Sequence, residues 1–213
     1  KFPELEPKVV LAPGAPSRHV IAADTKESRE DTKGKLRIIT VGRLHPRKGQ
    51  DRMLAALAAL PVELKDSVEY VLIGPETHSR YVCQIREQSE KIGLSVTFSG
   101  DLSDDKLREA YADADVFALT STAQPDSVEG FGFVYLEAAS HGLPAIAHRI
   151  GGVEDAVVNE ETGLLIEHDN PADLSRAIER LLRDSGLRKR LGSAAKERAE
   201  KFTWKSTAKA LYT

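Results

Sequence analysis

The sequence predicts an α/β fold, a Rossmann-like parallel sheet with helices on both faces. Three observations lead there. Six short, largely apolar runs of strand length recur between Leu36 and Ile166. Segments with helical apolar periodicity alternate with them. The alternation runs once along the chain, without repeats or low-complexity tracts. Strands buried on both faces read as continuous apolar runs, and alternation with helices makes them neighbours in a parallel sheet.

Taken in order, residues 1–35 stand apart. Lys8–Ala12 is a candidate strand, broken at Pro13-Gly-Ala-Pro16, and Asp24–Lys35 is charged and aperiodic, as an exposed linker is. The expected division is therefore an interdomain connection and linker over 1–35 and a compact domain over 36–213. Leu36–Val41 opens that domain as a strand, followed by a helix over Gln50–Leu60. Val68–Ile73 leads to Arg80–Ile92, Val96–Ser99 to Asp104–Ala112, and Val116–Leu119 to Phe133–Ser140. Ala145–Ala147 and Gly163–Ile166 complete the strands. Ala172–Leu182, Leu187–Lys201 and a piece from Trp204 are the last helices. Crossovers between parallel strands are right-handed.

Bulk properties narrow the function. The 213 residues suffice for one sizeable domain with an attached arm. A composition of 41% hydrophobic and 30% charged residues is that of a globular chain. A net charge of -3 gives no footprint for nucleic acid. One cysteine, Cys83, excludes an internal disulfide and a cysteine zinc site, and fits a reducing compartment. No run of 18 apolar residues is present to span a membrane. The start at Lys1, without a signal-like segment, reads as a piece of a longer protein. The expected location is the cytoplasm, with peripheral membrane attachment of the longer protein left open.

Open α/β sheets bind ligands beyond the carboxyl ends of their strands. The first such segment is Val41-Gly-Arg-Leu-His-Pro-Arg-Lys-Gly49. Gly42 ends a strand and Lys48-Gly49 opens a helix, so Arg43 and Lys48 meet a helix N-terminus and form an anion site. Spacing excludes a Walker A loop. The alternative is a solvated basic loop. The second segment is Glu129-Gly-Phe-Gly-Phe-Val-Tyr-Leu-Glu137. Gly130 and Gly132 allow backbone close to a ligand. Glu137 lies about one turn inside an apolar helix, where a carboxylate is costly to bury without a partner. A pair with His141 at i,i+4 would satisfy it; so would a ligand hydroxyl. Glu129 and Glu137 lie on the order of 10 Å apart at about 1.5 Å per residue. That distance suits the two ends of a sugar–diphosphate–nucleoside. Carboxylates repel phosphate, so the hexose falls to Glu129, the ribose to Glu137, and the diphosphate to the helix N-terminus with Arg43 and Lys48.

The spacing Glu129-x7-Glu137, the Gly42-Arg43…Lys48-Gly49 loop, Gly142-Leu-Pro144 and Gly151-Gly152…Thr162-Gly163 resemble family 4 retaining glycosyltransferases of the GT-B fold. The resemblance runs from about Val9 to the C-terminus. It implies one half of a GT-B fold, the half that binds a UDP- or GDP-sugar. It implies that Arg43 and Lys48 bind the diphosphate and that Glu129 contacts the donor sugar. Backbone at Gly130, Phe131 and Gly132 meets phosphates and sugar, and Glu137 binds the ribose. Phe98-Ser-Gly-Asp-Leu102 matches the base-contacting loop, which puts Leu102 against the nucleobase. Pro13-Gly14 stands where the family usually has Asn-Gly. The acceptor is expected on an N-terminal domain that these residues do not include.

The expected activity is therefore transfer of a hexose with retention, through Arg43, Lys48 and Glu129, without metal or other cofactor. No general base for the acceptor is evident. Asp126–Gly132 with Tyr135-Leu-Glu137 is similar to some GDP-mannose-dependent members, but glucosyl and N-acetylglucosaminyl enzymes share most of it. Two other readings are a non-catalytic nucleotide-sugar-binding module and a nucleotide-sugar epimerase on the same fold. The Glu129/Glu137 pair argues against the epimerase. Asp113-Ala-Asp115 is read as structural rather than as a metal motif. The basic stretch Leu187–Leu191 is read as a solvated helix face.

Overall fold

The structure is a computed structural model that describes residues 17, 20–22, 34–122, 132–168, 170–205 and 208. Glu129, Gly130, Phe131, the candidate strand at 8–12, the Pro13-Gly14 match and most of the linker lie outside these residues. So does most of the final helix beyond Trp204. The described strands are β1 (Leu36–Val41), β2 (Val68–Ile73), β3 (Ser95–Gly100), β4 (Val116–Leu119), β5 (Ala145–His148) and β6 (Gly163–Ile166). They form one sheet in the order β3-β2-β1-β4-β5-β6, with every neighbouring pair parallel. The order reverses between β1 and β4, which makes their carboxyl ends the crevice of a doubly wound sheet.

The helices are α1 (Gln50–Ala58), α2 (Val62–Lys65), α3 (Ser79–Ser89), α4 (Asp104–Ala112), α5 (Phe133–Ser140), α6 (Val153–Ala156), α7 (Pro171–Arg183) and α8 (Ser185–Ala199). Two short helices, α2 and α6, and a 3₁₀ turn at Pro46–Lys48 are absent from the sequence reading. A single turn contains no period to detect.

Successive strand residues point to opposite faces. Ile38, Val116, Ala118, Ile146, Leu164 and Ile166 therefore enter one core with α1, α3 and α7. Ile39, Val41, Phe117, Leu119, Ala147 and Leu165 enter the other with α4 and α5. Both faces are covered, as the fold class requires. Val20, from the segment read as linker, is buried in this second core, and Ala22 N donates to Ser140 Oγ at 3.2 Å. Among the described residues, no helix is long and apolar enough to cross a membrane.

Two discounted motifs have defined structural partners. Asp115 Oδ2 accepts from Arg37 N at 2.7 Å, and an Asp113 oxygen lies 3.8 Å from the Arg37 guanidinium. Asp115 thus joins the amino-terminal ends of β1 and β4, opposite the crevice. In the basic stretch, Arg188 is not merely solvated. Its guanidinium donates to the carbonyls of Leu181 and Leu182 at 2.6 and 3.1 Å, where it satisfies the orphan end of α7.

Candidate functional site

The crevice is lined first by the loop after β1. Gly42 N donates to Ile73 O at 2.8 Å and Leu44 N to Pro75 O at 3.0 Å, so the loop starts as an extension of the sheet. Leu44 is buried, and Arg43 between these two anchored residues is exposed. The chain then turns through Pro46–Lys48, capped by His45, whose Nδ1 accepts from Arg47 N at 3.2 Å. A Cβ built on Gly42 would lie 3.7 Å from Cε and 3.8 Å from Cδ of Lys48, so the lysine stem folds back beside the strand end. Arg43 and Lys48 thus belong to one short loop at the switch point.

Gly49 closes the loop and starts α1. Its φ is 71°, and a Cβ there would stand 2.1 Å from Thr120 O. Only glycine fits, which lets the N-terminus of α1 press against the end of β4. Thr120 Oγ1 donates to Gly49 O at 2.8 Å, and Thr122 N to Arg47 O at 2.8 Å. The loop after β1 and the segment leading to Glu129 are therefore hydrogen-bonded to each other. His148, at the end of β5, adds a bond of 3.0 Å between its Nδ1 and Ser121 O. Burial holds its imidazole below the usual range.

The third wall is the start of α5. Gly132 has φ 70° and no side chain bonds to the helix from the cap position. A Cβ on Gly132 would stand 2.6 Å from the Tyr135 ring, so a second glycine presents a helix N-terminus to the crevice. Tyr135 fixes the helix by donating to Leu119 O at 2.8 Å. Leu102 follows β3 and is partly buried beside the same core.

Glu137 is buried, at 9% exposure. Tyr111 donates to its Oε2 at 3.2 Å, and backbone at Ser17 adds a hydrogen bond. Burial nevertheless raises its carboxyl above the usual range. His141 stacks on Tyr111 with ring centroids 5.4 Å apart, and its Nε2 lies 2.9 Å from Val20 O. The carboxylate is thus held at the end of a tyrosine, where it retains acceptor capacity.

Charge in the crevice is positive. Burial, then His78, then Arg43, Arg47 and Lys48 hold the His45 imidazole below its usual range. The His45 and His78 rings meet edge to face at 5.6 Å. Lys48 precedes the glycine-opened N-terminus of α1, and that of α5 opens after the neighbouring strand β4, and both are helix ends of the kind that attract anions.

The structure thus gathers Gly42, Arg43, Lys48, Gly132, Glu137 and Leu102 along the carboxyl ends of the strands. Glu129, Gly130 and Phe131 fall outside the described residues. Sequence reading missed Tyr111, His45, Gln50, Tyr81 and Thr122. Gln50 did carry a signal. It is a polar residue on the apolar stripe of α1, in register with Met53, Leu54 and Leu57, and it is fully buried.

The family model described as Glycosyl transferases group 1 matches residues 22–198. A D-inositol 3-phosphate glycosyltransferase of Corynebacterium diphtheriae is 33% identical over 213 residues, covering 95% of this chain and 48% of that protein. A GDP-mannose-dependent alpha-(1-6)-phosphatidylinositol monomannoside mannosyltransferase of Mycobacterium tuberculosis is 34% identical over 165 residues, 75% of this chain and 42% of that protein. The crystal structure of Anabaena HepE in complex with UDP and glucose is 27% identical, with TM-score 0.72, over 84% of this chain and 46% of that one. The chain spans about half the length, or less, of the curated relatives it matches.

Proposed function

The chain belongs to the group 1 glycosyl transferases, and from that premise we propose that it is the donor-binding half of a retaining, family 4 hexosyltransferase. The donor is a UDP- or GDP-sugar. A neighbouring fold with UDP and glucose bound and a GDP-mannose-dependent relative support that class. The carrying observation is the switch point itself: Arg43, Lys48 and two glycine-opened helix N-termini lie at one end of the sheet, with the buried carboxylate Glu137 one turn behind.

The roles follow from charge. Arg43 and Lys48 take the diphosphate and stabilise the negative charge that develops on it as the glycosidic bond breaks. The N–H groups of α5 and the backbone at Gly130, Phe131 and Gly132 share that charge. Glu129 holds hydroxyls of the sugar, Glu137 holds those of the ribose, and Leu102 lies against the base. These two side-chain cations supply positive charge without a metal ion. The acceptor sits on a second, N-terminal domain. The test is a screen of UDP- and GDP-sugars for thermal stabilisation of the protein in EDTA. At least one should raise Tm; an absolute requirement for Mg²⁺ or Mn²⁺, or no shift with any donor, would overturn the proposal.

Glu137 allows a separate check, because function and stability pull it in opposite directions. Its folded pKa is raised from 4.5 by burial. The ionised form therefore costs stability once pH rises past that raised value, and the cost vanishes below 4.5. Glu137→Gln should raise Tm at pH 8 and lose that advantage near pH 4. The same variant should weaken nucleotide binding about tenfold, the scale of a hydrogen bond to a charged group, with kcat little changed. Loss of stability at pH 8 with unaltered nucleotide affinity would mean that Glu137 is a structural residue.

A further inference from the structure

The side chain of Gln50 is sealed beneath the loop after β1. Gln50 is the first residue of α1, and none of its surface is exposed. Its Nε2 donates to Arg43 O at 3.0 Å, seven residues back along the chain. The side chain thus ties the end of the loop after β1 to its beginning. Its Oε1 accepts from the Tyr81 hydroxyl at 3.2 Å. The one proton of that hydroxyl is shared between Gln50 Oε1 and Asp51 Oδ1, the latter at 2.8 Å, while its oxygen accepts from Asp51 N at 3.0 Å. Tyr81 is itself anchored, since its N–H donates to His78 Nδ1 at 3.3 Å in the cap of α3. The relay runs from α3 through Tyr81 and Gln50 to the backbone of Arg43.

We propose that Gln50, oriented by Tyr81, is a positioning residue for the diphosphate-binding loop. The inference rests on the donor-site reading of Arg43 and Lys48 given above. Other contacts fix neighbouring points: Leu44 N on Pro75 O, Arg47 O on Thr122 N, and Gly49 O on Thr120 Oγ1. Gln50 fixes the peptide unit that carries Arg43. Because the amide is fully buried, water cannot replace its bonds, and a small shift of that peptide moves the guanidinium at the end of a long side chain. Such a shift alters recognition of the diphosphate and leaves the base and ribose contacts in place.

The readout is therefore a ratio. In the intact protein, affinities for UDP against UMP and for GDP against GMP are compared, using the pair that binds more tightly. Gln50→Met keeps the shape of the side chain and removes both bonds. It should cut the diphosphate-to-monophosphate ratio about tenfold. Tyr81→Phe should cut it about threefold, and the double variant should fall no further than Gln50→Met. Should Gln50→Met fail to fold, Tyr81→Phe carries the test. Equal weakening of both nucleotides, an unchanged ratio, or additive losses in the double variant would overturn the relay. If Arg43→Ala also leaves the ratio unchanged, the donor-site reading itself falls, and the role of Gln50 with it.

Discussion

The 213 residues alone should bind a nucleotide-sugar and transfer almost none of it. The chain covers 48% of its Corynebacterium diphtheriae relative and 46% of HepE, and in the reading proposed above it is one half of a two-domain arrangement. The described sheet is covered on both faces, so the proposed donor site at the β1/β4 switch point should form without a partner. Transfer also needs the acceptor held against the anomeric carbon. Such positioning is worth roughly 7–11 kcal/mol, five or more orders of magnitude in rate. Purified 213-residue protein and the intact enzyme, given matched donor and acceptor, should therefore differ by at least about 10⁵-fold in transfer, the lower end of that range. Nucleotide affinity should stay within a few-fold. Slow hydrolysis of the donor is the most activity expected. Comparable transfer rates would place the acceptor site in this half and remove the division of labour proposed here.

Removal of either cation should have the next largest effect. Arg43→Ala or Lys48→Ala, in the intact enzyme, should lower kcat by about 10²–10³-fold, the cost of losing one preorganised group that stabilises developing charge. Lys48 is preorganised because its stem lies beside Gly42 and its loop is capped by His45. Arg43 is preorganised through the bonds on its own carbonyl and on the two flanking residues. The losses should not add in the double variant, because in the proposed arrangement both side chains act on one leaving group. Steady-state kinetics in EDTA decides the matter. A fall of less than about threefold for both single variants would show that helix N-termini alone carry the leaving group.

Much of this protein was legible before its fold was known. Strands β1, β2, β4 and β6 fall where apolar runs placed them, and α4 and α5 match residue for residue. Local pattern suffices there because a strand buried on both faces is predominantly apolar, with few polar residues such as Arg37, Thr40 and Glu69. Gly132 was readable as a position of tight backbone, whereas Gly49, read only as the opening of a helix, owes its close approach to Thr120 O to the fold. The candidate residues Arg43 and Lys48 could be placed at one edge because loops after strands in such a sheet converge there, and Glu137 lies in the helix that starts beside them.

Other features depend on residues distant in sequence. Tyr111 meets Glu137 across 26 positions, Gln50 meets Tyr81 across 31, and Thr122 meets Arg47 across 75. Nothing local distinguishes Tyr111 from an ordinary core tyrosine, and only the packing of α4 against α5 gives it a carboxylate. Val20 shows the same limit: it fell within the 1–35 stretch read as connection and linker, yet it fills the core beside α5. The sequence by itself determined the layers, the strand ends and the charges of the site, because burial and backbone conformation are written residue by residue. Tertiary structure alone decided which polar groups pair beneath that site, because a buried hydrogen bond is chosen by geometry between elements rather than by any period within one.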